Sequence, residues 1–525
     1  MKRFFPGDAS SFLRSHGAAV FAVLYPLVLL PFIGLNRLYG LDEAIYANTA
    51  MGALRDGHWM PFFLMGEPFI DKPPLGQWIQ AAACLLFGPS EWSLRLPSAL
   101  ASGGVLYLVW RLAARLGRSE SAGFFATGMV ALSEHFILYS RIANLDMMLV
   151  LCILGAWWEL LNAFSPVPPA AGVPRESPQG HLLRLGFWTG AALLVKSLFA
   201  FVYILPAFLA LRWSHHRPIP IRDILRYAGI PVLAAFAGWY ALYGAAYGKA
   251  FFKWELFTNV AFRIGTGAVG RIFRGSDVDF HSWQLYAELT KNGFAFLWPL
   301  LPMAFLAWAK EARTGVQRRR ADLLLLGGFV ILSAYLFLVI VLMRPLINYL
   351  LPLAPLAALS LAALWRKPAC LKYSLLLSGA ALLALANGFT RHAFTGWKMA
   401  AACALALLLL RIPDTKPHHW GRRMRRVALV LLLAGSAAKA LPYLLHPPDP
   451  NAKWAKAVLE HPAPTKGATL LFYGTPTDAR SAQFYCDYRV TWTDKTPDPE
   501  GPRPAMLFEY QGKVHLVPSE AGTSN

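Results

Sequence analysis

Acidic side chains stand at the ends of two long apolar segments of the sequence. Asp42 and Glu43 directly follow the first segment. Adjacent carboxylates there are either solvated interfacial acids or groups for proton transfer or cation binding. Asp146 follows Arg141 at the start of another apolar segment, where an ionisable side chain is costly and indicates function. A structural ion pair between Arg141 and Asp146 is the alternative.

Three basic side chains occur where they could meet an anionic group. Lys72 precedes two prolines, which rigidify the chain and fix the direction of the lysine. Lys196 and Arg344 occupy turns between apolar segments. Cations that converge on one face would suit a phospholipid headgroup or a polyprenyl phosphate. For Lys72, an ordinary lysine that snorkels to the membrane surface is the alternative.

The composition places these residues in a membrane protein. Of 525 residues, 56% are apolar and 15% are charged, whereas globular proteins have about 25% charged residues. The formal net charge of +21 would by itself suggest nucleic acid as a partner. The apolar content excludes that class, because a soluble fold has too little interior to bury it.

The apolar segments are long enough for transmembrane helices, since a bilayer core of about 30 Å needs roughly 20 apolar residues. The candidate spans are 18–39, 97–114, 122–139, 145–164, 228–247, 294–309, 323–343, 346–364, 373–390, 397–411 and 427–445. The positive-inside rule holds for the basic clusters between them when residues 186–211 form two short segments that turn near Lys196. The predicted fold is an all-α polytopic membrane protein of about 13 helices with a cytoplasmic N-terminus.

Three regions are expected outside the bilayer. A transmembrane domain over 1–445 includes a periplasmic loop, 40–96, for which we expect short interfacial helices, and a periplasmic segment, 248–293. In that segment, His281 is either a solvated histidine or a metal ligand. Residues 446–525 read as a small α/β periplasmic domain, with strands over 468–473, 482–491, 505–509 and 513–517.

Several motifs, in order along the chain, resemble those of the polyprenol-phosphate-sugar-dependent membrane glycosyltransferases. The family includes the protein O-mannosyltransferases and the lipid A aminoarabinose transferases. The matching stretches are Leu41-Asp42-Glu43-Ala44-Ile45-Tyr46, Asp71-Lys72-Pro73-Pro74-Leu75-Gly76-Gln77-Trp78, Arg95-Leu96-Pro97-Ser98, Leu145-Asp146-Met147, Leu194-Val195-Lys196-Ser197, Asn348-Tyr349-Leu350-Leu351-Pro352 and Ala482-Gln483-Phe484-Tyr485.

The resemblance implies a GT-C fold and assigns roles to individual residues. By it, Asp42, Glu43 and Asp146 are catalytic, and Lys72 contacts the donor phosphate. Lys196 and Arg344, which the topology places on the same outer face, are expected to be further phosphate ligands. Tyr46 and Arg141 are expected to bind substrate. Asp71 and His281 match positions linked to a metal ion, so a divalent cation is a candidate cofactor. Two departures, Ile45 for the family's arginine and Asp71 for its glutamate, leave the sugar and the acceptor open.

The expected activity is transfer of a sugar from a polyprenyl-phosphate carrier to a lipid A-type acceptor, with inversion, at the periplasmic face of the bacterial inner membrane. A protein or another glycan is the alternative acceptor. A lipid or sugar transporter is a further alternative, because intramembrane charges and broken helices also serve transport. The expected partners are the lipid-linked donor, the acceptor and membrane lipids; nucleic acid is not among them, and the chain is expected to be a monomer.

Overall fold

The protein is a mainly helical, polytopic membrane protein. The computed structural model describes residues 7–38, 40–55, 57, 59–64, 67–117, 119–164, 176–214, 219–255 and 347–364, and the strand segments 469–473, 489–493, 506–510 and 513–517. The predicted sites at His281 and Arg344 and the predicted spans between 294 and 343 and beyond 372 lie outside these residues.

The described helices follow one another through the first half of the chain. They are α1 (Gly7–Leu29), α2 (Gly40–Arg55), α3 (Leu75–Phe87), α4 (Glu91–Gly117), α5 (Glu120–Ala131), α6 (Glu134–Arg141), α7 (Asp146–Phe164), α8 (Pro178–Lys196), α9 (Phe201–Ser214), α10 (Ile221–Asp223), α11 (Ile230–Tyr247), α12 (Lys249–Lys253) and α13 (Leu353–Leu364). A π-helical turn, Ile224–Gly229, joins α10 to α11, and a 3-10 helix, Ile347–Leu350, precedes α13.

Four of the described helices are long and apolar enough to cross a membrane: Glu91–Gly117, Asp146–Phe164, Pro178–Arg212 and Ile221–Tyr247. The predicted span 122–139 is instead a pair of helices, α5 and α6, bent by 69°. The predicted loop 40–96 contains helices, as expected, and also a short antiparallel pair of strands, β1 (Phe63–Leu64) and β2 (Glu67–Pro68).

Two breaks in the helices position the site described below. The expected span 18–39 is wrong at its end, because α1 stops at Leu29 and turns follow. Pro31 explains the stop, since proline lacks the N–H that would continue the helix. The helix is interrupted near Lys196: α8 ends there, Ser197 adopts a positive φ of 58°, and a 3-10 turn leads into α9, although Pro178–Arg212 together form one apolar stretch. That Pro178–Arg212 crosses the membrane as two segments stays a prediction.

The core lies between α4, α5, α7, α8, α9 and α13, and α7 packs against both α4 and α8. Glycines allow the closest approaches. A Cβ at Gly103 of α4 would collide with the Ala22 carbonyl oxygen of α1, and one at Gly155 of α7 would collide with the Trp188 ring of α8. Small residues are the usual device for bringing membrane helices together, because lipid supplies no hydrophobic force between them.

The α7–α8 hairpin carries an ion pair at the end of α7 that lies away from Asp146. The buried carboxylate of Glu159 lies 2.7 Å from His181 Nδ1 and accepts a hydrogen bond of 3.0 Å from Arg184 Nε. Glu176 lies 3.4 Å from His181 Nε2 and also pairs with Arg184. This hydrogen bonding holds the pKa of the half-exposed Glu176 below its ordinary value.

Helix α3 carries two buried amides. The side chains of Gln77 and Gln80 are completely buried, and none of their four polar atoms has a hydrogen-bond partner among the described residues. Buried polar groups in proteins are normally paired.

A four-stranded sheet forms in the C-terminal part of the chain, from β3 (Thr469–Tyr473), β4 (Arg489–Thr493), β5 (Met506–Tyr510) and β6 (Lys513–Val517). Its order is β4-β3-β5-β6; β3 and β4 are parallel and the other neighbours antiparallel. Three strands lie where the sequence predicts them. Of the strand expected over 482–491, residues 489–491 lie in β4, and 482–488 lie outside the described residues. That this part is a separate periplasmic domain stays a prediction.

Candidate active site

Asn348 joins the two acids that the sequence singles out. Its Nδ2 lies 3.3 Å from Asp42 Oδ2 and 3.3 Å from Asp146 Oδ2, so the amide can donate one hydrogen bond to each carboxylate. Both acids stand in the first turn of a helix, α2 or α7, where free backbone N–H groups favour negative charge. The Asn144 side chain fixes the start of α7 by accepting a 3.0 Å hydrogen bond from the Asp146 backbone N–H.

Lys196 forms an ion pair with Asp146, and both side chains are at least 95% buried. The break that ends α8 brings this ammonium to the start of α7. Tyr349 and Phe199 cover it, with their ring centroids 5.0 and 5.9 Å from Nζ. Such cation–π contacts stabilise a desolvated ammonium. Asp42, Asn348, Asp146 and Lys196 thus form a continuous polar group, which we call the acid cluster.

Glu43 faces away from this cluster. Its carboxylate accepts hydrogen bonds from Arg95 Nε at 2.7 Å, from Arg95 Nη2 at 2.9 Å and from the Ala143 backbone N–H at 2.6 Å. The same guanidinium donates to the carbonyl groups of Ile33, Asn36 and Arg37 in the turns after α1. These contacts engage a fully buried carboxylate in holding the turns, α2 and the start of α7 together. The catalytic role of Glu43 stays a prediction.

Lys72 lies on the loop between β2 and α3 and is 13% exposed. Its ammonium pairs with the carboxylate of the preceding Asp71. Its backbone carbonyl accepts a 2.6 Å hydrogen bond from the Tyr243 hydroxyl of α11. The phosphate ligand implied by the family resemblance is therefore held at both its side chain and its backbone.

Tyr46 links this loop to the acid cluster. The ring is 2% exposed and lies one helical turn after Asp42, within electrostatic reach of Asp42, Asp146 and Asp71. Burial, followed by these carboxylates, raises the pKa of Tyr46, so the phenol stays protonated and can donate a hydrogen bond. Its position beside the acids fits the predicted substrate contact.

The ion pair between Arg141 and Asp146 that the sequence left open is not formed. Asp146 pairs with the ammonium of Lys196 instead. One of the contacts of Arg141 is a 3.1 Å hydrogen bond from Nη2 to the Phe32 carbonyl. The guanidinium of Arg95 lies within electrostatic reach of it. Arg141 thus lies near the Glu43–Arg95 pair, and its role as a substrate ligand stays a prediction.

The predicted metal site is incomplete in the described part of the chain. Asp71 is paired with Lys72, His281 lies outside the described residues, and no group of three His, Cys, Asp or Glu side chains gathers within them. An aspartate that already pairs with a lysine ammonium is a poor ligand for a divalent cation, because such a cation prefers several oxygen ligands. No step of the reaction proposed below is therefore assigned to a metal.

Sequence reasoning missed three contributors to this region: Asn348, Arg95 and Tyr243. Asn348 and Arg95 belong to motifs that carry the resemblance, and each is a polar residue within an apolar stretch, which is itself a signal. Tyr243 gives no such signal, since a tyrosine in an aromatic-rich helix is ordinary.

Comparison with known proteins places this geometry in context. Residues 71–241 match a family described as dolichyl-phosphate-mannose-protein mannosyltransferase. An undecaprenyl phosphate-alpha-4-amino-4-deoxy-L-arabinose arabinosyl transferase of Pseudomonas savastanoi pv. phaseolicola is 26% identical over 228 residues, 42% of this chain and 39% of that protein. The undecaprenyl phosphate-alpha-4-amino-4-deoxy-L-arabinose arabinosyl transferase 1 of Pseudomonas fluorescens is 27% identical over 480 residues. The match covers 88% of this chain and 76% of that protein.

The aligned region thus spans well under half of the first of these relatives and about three quarters of the second. Among solved structures, ArnT from Cupriavidus metallidurans bound to undecaprenyl phosphate superposes with a TM-score of 0.63 at 18% identity. The superposition covers 91% of this chain and 86% of that one. At this identity the superposition establishes the fold. The sequence matches and this superposition both fit the resemblance to the GT-C membrane glycosyltransferases.

Proposed function

We propose that the protein transfers a sugar from an undecaprenyl-phosphate carrier to a lipid A-type acceptor, with inversion, at the periplasmic face of the bacterial inner membrane. The observation that carries this proposal is the acid cluster with the Lys72 loop close by. It combines carboxylates that can bind an acceptor with ammonium groups that can bind a phosphate. The names of the two Pseudomonas relatives supply the donor class, and the resemblance to the lipid A aminoarabinose transferases supplies the acceptor class.

The cations act on the leaving phosphate. In the proposed step the bond between the anomeric carbon and the phosphate oxygen breaks, and its electron pair leaves with the polyprenyl phosphate. Lys72 and Lys196 would stabilise the charge that develops there, and such preorganised stabilisation usually contributes more to catalysis than any other effect. Each lysine is paired with an aspartate, so its charge is partly balanced before the donor binds. We therefore assign Arg344, as predicted, a share in neutralising the phosphate.

Asp42 acts on the acceptor. It is only partly buried, whereas Asp146 is completely buried and paired, so Asp42 is the carboxylate that an incoming acceptor can reach. A hydroxyl acceptor forms the new bond to the anomeric carbon and gives its proton to Asp42, since hydroxyls are weak nucleophiles. A lipid A phosphate is already ionised, and Asp42 then mainly orients it. Attack opposite the leaving phosphate in a single displacement inverts the sugar carbon.

A protein or another glycan is the second candidate acceptor. The description of the family matched by residues 71–241, a protein mannosyltransferase, favours it. Transport of a lipid or sugar has less support, because the matched family and both Pseudomonas relatives are named as transferases.

The test is mass spectrometry of lipid A and of surface glycoproteins from a strain that lacks the gene. We expect lipid A to lose one sugar mass. Wild-type protein should restore that mass, and Asp42→Asn should fail to restore it while reaching the membrane in equal amount. Loss of a sugar from glycoproteins with unchanged lipid A would favour the second acceptor. Full restoration by Asp42→Asn would contradict the assignment of the site.

A further inference from the structure

Helix α11 holds the loop that carries Lys72. The Tyr243 hydroxyl donates a hydrogen bond of 2.6 Å to the Lys72 carbonyl, although the two residues are 171 positions apart in sequence. The Tyr243 side chain is completely buried. A short hydrogen bond from a buried, rigid ring fixes the position of its acceptor more tightly than a bond from a flexible side chain.

The local sequence explains why this carbonyl depends on a distant donor. Pro73 and Pro74 follow Lys72, and proline has no backbone N–H. Helix α3 begins only at Leu75, so the Lys72 carbonyl lies outside its hydrogen-bond pattern. A residue before proline is also restricted to extended conformations. The prolines thus limit the shape of the loop, and Tyr243 anchors it in space.

A second tyrosine of α11 fastens the strands that lead to the loop. The Tyr247 hydroxyl accepts a 2.7 Å hydrogen bond from the Phe62 backbone N–H and lies 3.1 Å from the Phe69 carbonyl oxygen. Aromatic contacts hold the donors in turn: the Tyr243 ring centroid lies 5.2 Å from that of Tyr247 and 5.3 Å from that of Phe251. The start of the loop and Lys72 itself are therefore both attached to α11.

We propose that Tyr243 is a positioning residue for the donor phosphate. Its hydroxyl fixes the Lys72 backbone and thereby the direction in which the ammonium is presented. The proposal rests on the proposed function, in which Lys72 binds the phosphate of the carrier. Tyr243 acts through Lys72 and touches no reacting atom.

The test uses the full chain in lipid nanodiscs, with undecaprenyl phosphate as the probe. Tyr243→Phe keeps the ring and its packing and removes only the hydroxyl. We expect it to weaken undecaprenyl phosphate binding about three- to tenfold, as expected for one hydrogen bond. Under the proposed reaction it should also raise KM for the donor more than it lowers kcat. Tyr240→Phe is the matched control, because Tyr240 lies in the same aromatic group, stacked on Phe236, and we expect wild-type binding from it.

A double-mutant cycle with Lys72→Ala separates positioning from a general effect on the fold. If Tyr243 acts through Lys72, removing its hydroxyl weakens phosphate binding in the wild type but has no further effect when Lys72 is alanine. Equal losses in both backgrounds, or wild-type affinity in Tyr243→Phe, overturn the proposal while leaving the proposed function standing. A wild-type chain that does not bind undecaprenyl phosphate contradicts the proposed function itself, and this proposal with it.

Discussion

The guanidinium of Arg95 holds the carboxylate of Glu43 by two hydrogen bonds, of 2.7 and 2.9 Å, while the adjacent Asp42 faces Asn348. Two acids that are neighbours in sequence thus have different partners: Glu43 binds Arg95, and Asp42 belongs to the acid cluster. Arg95 also gathers three backbone carbonyls, so this pair ties the turns after α1 to the start of α2. Asp42 stands in the first turn of α2, so these contacts help to fix its position.

The first prediction separates these two acids. Asp42→Asn should abolish sugar transfer and leave the melting temperature of the detergent-purified protein within a few degrees of wild type. Glu43→Gln should lower stability by about 3–5 kcal/mol, because it leaves the Arg95 charge buried without its partner. Thermal unfolding and transfer assays on the same preparations measure both effects. A Glu43→Gln protein that is as stable as wild type but inactive would support the predicted catalytic role of Glu43.

The second prediction concerns the buried pair of Asp146 and Lys196. Lys196→Met alone should destabilise the protein by about 3–5 kcal/mol, since a buried carboxylate is left unpaired. Adding Asp146→Asn should recover most of that stability, because no unpaired charge remains. The double variant should still be inactive if both charges serve the reaction. Recovery of transfer along with stability would show that the pair is purely structural.

The third prediction concerns the amide that bridges the two acids. Asn348→Asp replaces the donor to Asp42 and Asp146 by a third carboxylate, which repels both. We expect transfer to fall at least tenfold, and further than in Asn348→Ala, which removes the donor without adding charge. Initial rates at equal protein amounts measure this order. The reverse order would mean that the amide does not hold the two acids together.

The fourth prediction uses the two amides of α3 that have no hydrogen-bond partner among the described residues. Replacing a buried, unsatisfied polar group by an apolar one of similar size is neutral or stabilising. Gln77→Leu and Gln80→Leu should therefore raise stability, by up to about 1–3 kcal/mol each. Thermal unfolding of the single variants is the measurement. A clear loss of stability would reveal a hydrogen-bond partner from a part of the chain beyond the described residues.

The sequence predicts the membrane fold, an interruption near Lys196 and three of the four residues of the acid cluster, Asn348 being the exception. Positive-inside topology placed Asp42, Lys72, Asp146 and Lys196 on one face, and the structure brings Asp42, Asp146 and Lys196 into one cluster. The sequence could not predict which cation pairs with Asp146. Arg141 is five residues away, but Lys196, 50 residues away, is the partner, because helix packing decides which charge arrives. The same limit explains why Arg95 and Tyr243 had no predicted role.

The α7–α8 hairpin is fastened at both ends, by Asp146 with Lys196 and by Glu159 with His181 and Arg184. Asp146 and Glu159 are 13 residues apart in one helix, about 20 Å along its axis. Sliding α8 against α7 by one helical turn, about 5.4 Å, would separate the charges at both ends together. The axial register of the two helices, and with it the placement of Lys196 beside Asp146, is therefore set partly from the far end of the hairpin. A change in the contacts at one end of this helix pair therefore affects the contacts at the other end, because α7 and α8 are packed, continuous helices.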